Sequence, residues 1–223
     1  MKIFNLIILF CLIIVQGYTQ NISKSLEQIN KDSTDVIELN NLGFKSRLQD
    51  PELTLKYANK ALRLAKELNY IDGIAEALRI RGIGKHYLNQ KEGAINDYLT
   101  ALTYFKQTYN QAGEAKTYNN IGNLYSEIDY DKSLQNFQKS LKIAENLNIT
   151  DLIAGLHLNL GSVHMRKKEY NEALSNYQRS LNLFTNLGNT IGIIQCLQNL
   201  GVIYFNLNQF EKLNLKASAG NLT

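Results

Sequence analysis

The sequence predicts an all-α solenoid of antiparallel helix pairs, and three observations carry that reading. The 223-residue chain holds 14 Gly and a single Pro, a scarcity of helix breakers that suits long helices. Five segments also fall into register on a glycine: LNNLGFKS, LRIRGIGK, YNNIGNLY, HLNLGSVH and LQNLGVIY. Their glycines, Gly43, Gly82, Gly122, Gly161 and Gly201, are separated by 39, 40, 39 and 40 residues. Downstream of each of the first four, a second pattern keeps the same beat: Thr54, Ala58, Ala61; Ala94, Tyr98, Ala101; Ser133, Phe137, Ser140; Ala173, Tyr177, Ser180. Spacings of four and three put each trio on one face of a helix, and a leucine follows each last small residue.

Taken in order, the chain opens with a leader. Residues 1–20 read MKIFNLIILFCLIIVQGYTQ, one lysine and then an apolar run from Ile3 to Val15. This is the layout of a secretory signal peptide, and the run is short of the ~20 residues that span a hydrocarbon core. A retained anchor is the alternative. The cut falls between residues 17 and 21, and Cys11 belongs to the leader, so the mature chain keeps only Cys196 and forms no internal disulfide. Residues 22–38 are expected to form a lead-in helix at the start of a solenoid over 21–217, with 218–223 as a tail.

Each repeat then reads as two helices. First helices are expected at 36–49, 74–88, 113–127, 152–167 and 191–206, and second helices at 51–68, 91–109, 131–147 and 170–186. A glycine inside a helix costs roughly 1 kcal/mol relative to alanine. Its recurrence therefore implies that the partner helix crosses too closely for a side chain, with the downstream small residues forming the other half of the contact. Asp50 and Pro51 suit an N-cap and first helical position, while Asn89, Asp129, Asn186, Gly188 and Asn189 punctuate other ends. The fifth repeat begins with LQNLGVIYFNLNQFEK, but the small and aromatic residues of a second helix do not follow. A short segment over 208–217 is the expected minimal cap, unless the chain is a fragment.

Composition excludes several functions. The formal charge is +4, and +3 once Lys2 leaves with the leader; acidic residues are interspersed with the basic ones, which argues against nucleic acid. The histidines are His86, His157 and His164, and no Cys, Asp or Glu completes a metal-site spacing around them. Cys196 lies among Ile194, Leu197 and Leu200 and reads as a buried core residue rather than a nucleophile. The glycines are repeat spacers and not a phosphate loop or dinucleotide fingerprint. A non-catalytic protein with no cofactor and no metal is expected.

The pattern resembles the tetratricopeptide repeat over residues 36–212. The glycine, the aromatic three residues later in Tyr125 and Tyr204, and the Ala94, Tyr98, Ala101 trio carry the resemblance. Ala58, where an aromatic is expected, and Arg81, where an aliphatic normally precedes the glycine, depart from it. The period exceeds the usual 34 residues and is similar to the longer repeats of kinesin light chains, G-protein signalling modulators and exported sensor regions of bacterial signalling proteins. The resemblance implies a right-handed superhelical solenoid whose first helices line a concave groove that receives an extended peptide or a partner helix.

Two residues before each glycine stand Asn41, Ile80, Asn120, Asn159 and Asn199. An amide side chain both donates and accepts, so such a row suits a peptide backbone, the role the longer-repeat relatives imply for it. The plainer alternative is that each amide satisfies a neighbouring helix. Other candidate groove residues are Arg47, Arg79, Tyr87, Lys116, Asn123 and Arg166, a mixture of cations and amides that would attract an acidic peptide. The carboxylate clamp of chaperone-binding relatives finds a match in Asn123 and Asn159, but its basic places hold Asn119, Gln195 and Asn199, so that clamp is expected to be absent.

The expected protein is thus an exported scaffold of a bacterial periplasm or cell envelope. It binds a protein or extended peptide, has no nucleic-acid partner and no stable membrane span after processing, and can self-associate through its incompletely capped C-terminal end. The alternative is a truncated sensory input region of a kinase, cyclase or transcription regulator.

Overall fold

The computed structural model describes the backbone of residues 32–220 and the side chains through 207. The leader and most of the expected lead-in helix over 22–38 lie outside the described residues. From residue 32 the protein is a succession of helices: α1 (32–46), α2 (Pro51–Glu67), α3 (Ile71–Tyr87), α4 (Lys91–Gln107), α5 (Gln111–Tyr125), α6 (Tyr130–Asn146), α7 (Thr150–Arg166), α8 (Tyr170–Asn186) and α9 (Thr190–Gly220). No strand occurs among the described residues.

Two kinds of turn stop these helices where the repeat needs a reversal. After α2, α3, α4, α6, α7 and α8 one residue takes a left-handed φ: Asn69, Asn89, Tyr109, Asn148, Lys168 and Gly188. In each case the following N–H bonds back to the carbonyl five residues earlier, as Gln90 does to Lys85 at 2.8 Å and Asn189 to Phe184 at 2.9 Å, which satisfies helix-end carbonyls. The turns after α1 and α5 lack the left-handed residue and lead into an aspartate cap instead. Asp50 accepts from the Leu53 N–H at 2.8 Å and Asp129 from the Lys132 N–H at 3.0 Å, each covering an otherwise unsatisfied amide of the first turn.

The described helices fall into two compact units that divide between Tyr104 and Phe105. In the first, Gly43 and Gly82 are pressed against the next layer: a Cβ on Gly82 would stand 2.5 Å from the Tyr98 ring and one on Gly43 2.9 Å from Ile80. In the second, the same holds for Gly122 under Phe137 and Gly161 under Tyr177. The trios of the second helices are buried throughout. Their hydroxyls bond backbone carbonyls of the first helices, Ser133 to Gly122 at 2.8 Å, Ser140 to Ala115 at 2.7 Å and Ser180 to Ala154 at 2.8 Å. Close approach of the helices and satisfaction of buried hydroxyls are therefore one arrangement.

Arg81 replaces the aliphatic residue without opening the stack. Its guanidinium grips Asp97 of α4 through two bonds, Nε at 2.8 Å and Nη2 at 2.6 Å, and Lys85 adds a third contact at 2.7 Å. Asp97 is buried while both cations keep about a quarter of their side-chain surface in water, so the charged heads stay hydrated over an apolar layer.

The C-terminal end corrects an expectation. The expected cap over 208–217 is not a separate segment: α9 runs from Thr190 to Gly220 and passes through Asn208, 40 residues after the turn residue Lys168. Its stretch Thr190–Leu207 is also long and apolar enough to cross a membrane by length and composition, a property not expected downstream of the leader. Its Cys196, Leu200 and Ile203 are nevertheless buried, in clusters with Ala154, Ala173, Tyr177 and Phe184.

Candidate functional site

Helices α5 and α7 are the first helices of consecutive repeats in the second unit, and both pack on α6. On α7, Asn159, Ser162, Val163 and Arg166 follow the i, i+3, i+4, i+7 spacing that stacks side chains along one helix face. Asn123 and Ser126 bring the end of α5 to the same place. Together with Phe137 they line a half-open pocket of about 50 Å³.

Each wall is held by a specific bond. The Asn159 amide donates to Asn119 Oδ1 across one full repeat at 3.0 Å. Ser162 donates to the Leu158 carbonyl at 2.9 Å and accepts from the buried Tyr177 hydroxyl at 3.1 Å. Arg166 reaches across to the Ser126 carbonyl at 3.0 Å, placing a guanidinium at the C-terminal, negative end of the α5 dipole. The lining thus offers amides, hydroxyls and one guanidinium, and no carboxylate. Such a surface can pair with the carbonyl and N–H groups of a peptide backbone or with an acidic side chain.

The expected site residues have unlike surroundings. In the second unit Asn123 and Asn159 line this pocket, Asn120 is half-buried with its amide nitrogen unpartnered, and Asn199 is half-buried on α9. In the first unit Asn41 is exposed on α1, whereas Arg79 is buried and its guanidinium is taken by Glu76 at 2.9 and 2.5 Å. Arg79 also lies over the Phe44 ring, as does Arg47 at 3.8 Å. The wider set includes the exposed Lys116 and Tyr87, the latter stacked on His86. Ser126 and Ser162 were missed by sequence reasoning. The readable signal for Ser162 is its place directly after Gly161, three residues from Asn159.

The remaining reactive side chains are occupied structurally. His157 is buried with Nδ1 2.9 Å from Asn176 Oδ1, and His164 Nδ1 is 2.6 Å from Glu169. Cys196 is buried and donates to Ser180 Oγ at 3.2 Å; burial pushes its thiol up, only partly countered by that bond, so the reactive thiolate is disfavoured.

Residues 152–212 match the tetratricopeptide repeat family. That part of the chain carries tetratricopeptide-type repeats. An 86-residue part, 38% of the chain, is 33% identical to response regulator aspartate phosphatase I of Bacillus subtilis (strain 168), spanning 22% of that relative. A Rap protein complexed with competence and sporulation factor superposes with a TM-score of 0.69 at 18% identity, over 87% of this chain and 57% of the other. Aspartyl phosphate phosphatase F of Bacillus subtilis gives 0.68 at 16% identity, over 87% and 52%. BtubC from P. vanneervenii gives 0.61 at 16% identity, over 85% and 86%. At these identities the structures establish a shared helical-repeat fold. The chain spans little more than half of the Rap protein and the aspartyl phosphate phosphatase F structures.

Proposed function

We propose that this protein is a non-catalytic binding scaffold that holds an extended peptide or protein segment on the amide-lined face of α5 and α7. The observation that carries the reading is the pocket framed by Asn123, Asn159, Ser162 and Arg166, whose donors and acceptors are set by helix spacing and by fixed bonds to Asn119, Tyr177 and Ser126. A surface of this kind recognises the backbone of any sequence and gains preference for acidic residues through Arg166. That one structural neighbour is a complex with competence and sporulation factor supports a bound partner for this fold.

The test is titration of the full-length protein against an immobilised array of unstructured decapeptides, acidic and neutral. Asn123→Asp with Asn159→Asp puts two negative charges into the pocket, and is expected to weaken capture at least tenfold with helicity unchanged. Capture indifferent to the double change sinks the proposal. The leader pattern supports export to a bacterial periplasm or envelope, and N-terminal sequencing of the processed protein should find a cut between residues 17 and 21. A second reading, a sensory input region of a longer signalling protein, is favoured by the likeness to a response regulator aspartate phosphatase.

A further inference from the structure

We propose that the exposed face of α9 pairs with α9 of a second copy of this protein. Four register glycines are pressed against a neighbouring side chain, but a Cβ on Gly201 would meet nothing within 4 Å. The seat of the fifth glycine is therefore open, and an apolar stripe surrounds it. Ile194, Leu197, Tyr204 and Phe205 are 49, 53, 54 and 65% exposed, and with Gly201 they share a helix face beside the one that buries Cys196, Leu200 and Ile203.

Three features select a second α9 as the occupant. The seats of Gly82, Gly122 and Gly161 are filled by Tyr98, Phe137 and Tyr177 of second helices, which are buried there and so are not free to serve a second copy. Among the described residues, the face of a second copy that matches this one, apolar and with an open glycine seat, is its own α9. The stretch Thr190–Leu207 contains no Asp, Glu, Lys or Arg, so two copies meet along it with no like charges to desolvate. With Ile191 and Val202 at its margin, the face carries six large side chains about half exposed or more. Covering them removes on the order of 600 Å² per copy, about 1,200 Å² in all, the size at which specific association begins. An antiparallel pair crossing near the two Gly201 residues is self-complementary, as a two-fold contact must be, and glycine at the crossing lets the backbones approach.

The experiment is sedimentation equilibrium on the full-length protein in reducing buffer over a concentration series. A dimer is expected. Leu197→Glu with Phe205→Glu, both on the exposed face, should weaken association at least tenfold while the circular dichroism and urea midpoint of the protomer hold. Gly201→Leu, whose Cβ meets nothing within 4 Å in the protomer, should also weaken the dimer by blocking close approach. Cys196 faces the buried side and takes no part in the contact, and the reducing buffer keeps Cys11 from linking copies. A monomer at the highest concentration overturns the proposal, as does a dimer indifferent to the paired glutamates. Partition of the protein into phosphatidylcholine vesicles without dimerisation also overturns it, by assigning the face to lipid.

Discussion

A tyrosine hydroxyl withdrawn from water needs a partner, and equivalent positions in two repeats meet that need differently. Tyr177 donates to Ser162, the residue after Gly161. Tyr98 lies over Gly82, where the following residue is Ile83, and its hydroxyl is buried without a partner. Deleting an unsatisfied hydroxyl returns its desolvation cost, whereas deleting a bonded one loses about 1 kcal/mol and strands its partner. Tyr98→Phe should therefore be neutral or stabilising by about 1 kcal/mol, and Tyr177→Phe destabilising by about the same amount. Urea unfolding of both variants checks this, and equal losses would refute the distinction. The asparagine row shows the same limit on what a residue type tells. Its places two before each glycine were readable from the repeat, but only packing decides that Asn159 pairs with Asn119 while Asn120 keeps an unpartnered amide nitrogen.

Between elements, size is exchanged across the helix contacts. Nine residues before the register glycine stand Gly73, Gly113 and Gly192, each under a ring: Tyr70, Phe105 and Phe184 respectively. The fourth repeat holds Leu152 there, and Ala144 occupies the place of Phe105 and Phe184 one period away; Leu152 packs into the cluster containing Ala144. Large over small has become small over large at nearly constant volume, the substitution cores tolerate best. Ala144→Phe alone should overpack this layer by about 1–3 kcal/mol. Adding Leu152→Gly should recover much of that despite roughly 1 kcal/mol for a helical glycine, and a double-mutant cycle with purely additive losses would contradict the exchange. This second glycine row escaped sequence reasoning because Leu152 interrupts its period, whereas the first row has no interruption. The second helices were legible for a related reason: their trios lack exceptions other than Ala58, and Asp50, Asp129 and Gly188 mark turns by local chemistry. The run of α9 through Asn208 was not legible, since asparagine also ends α3 in a left-handed turn at Asn89, so the residue type alone does not tell a turn from a continuing helix.

Across the whole molecule, 24 Lys and Arg stand against 20 Asp and Glu, so acid unfolding depends on which carboxylates the fold keeps ionised. The Lys132 N–H at the start of α6 holds Asp129 below the usual aspartate range, and the bond from His164, followed by Lys167, holds Glu169 below the usual glutamate range. Groups lowered on folding add stability above their unfolded pKa and lose it as pH falls through the folded value. Burial moves Tyr98, Tyr177 and Cys196 the other way, so their contribution is complete below the unfolded value and disappears as pH rises through the folded one. Urea midpoints should accordingly form a plateau through neutral pH with a fall on each side, the acid fall steepened by repulsion among cations no longer balanced by carboxylates. Asp129→Asn separates capping from titration, because asparagine caps a helix about as well as aspartate. Its midpoint should match the parent at neutral pH and decline less through the carboxylate range. Superimposable acid limbs for the two proteins would remove Asp129 from the account and leave the acid transition to general charge repulsion.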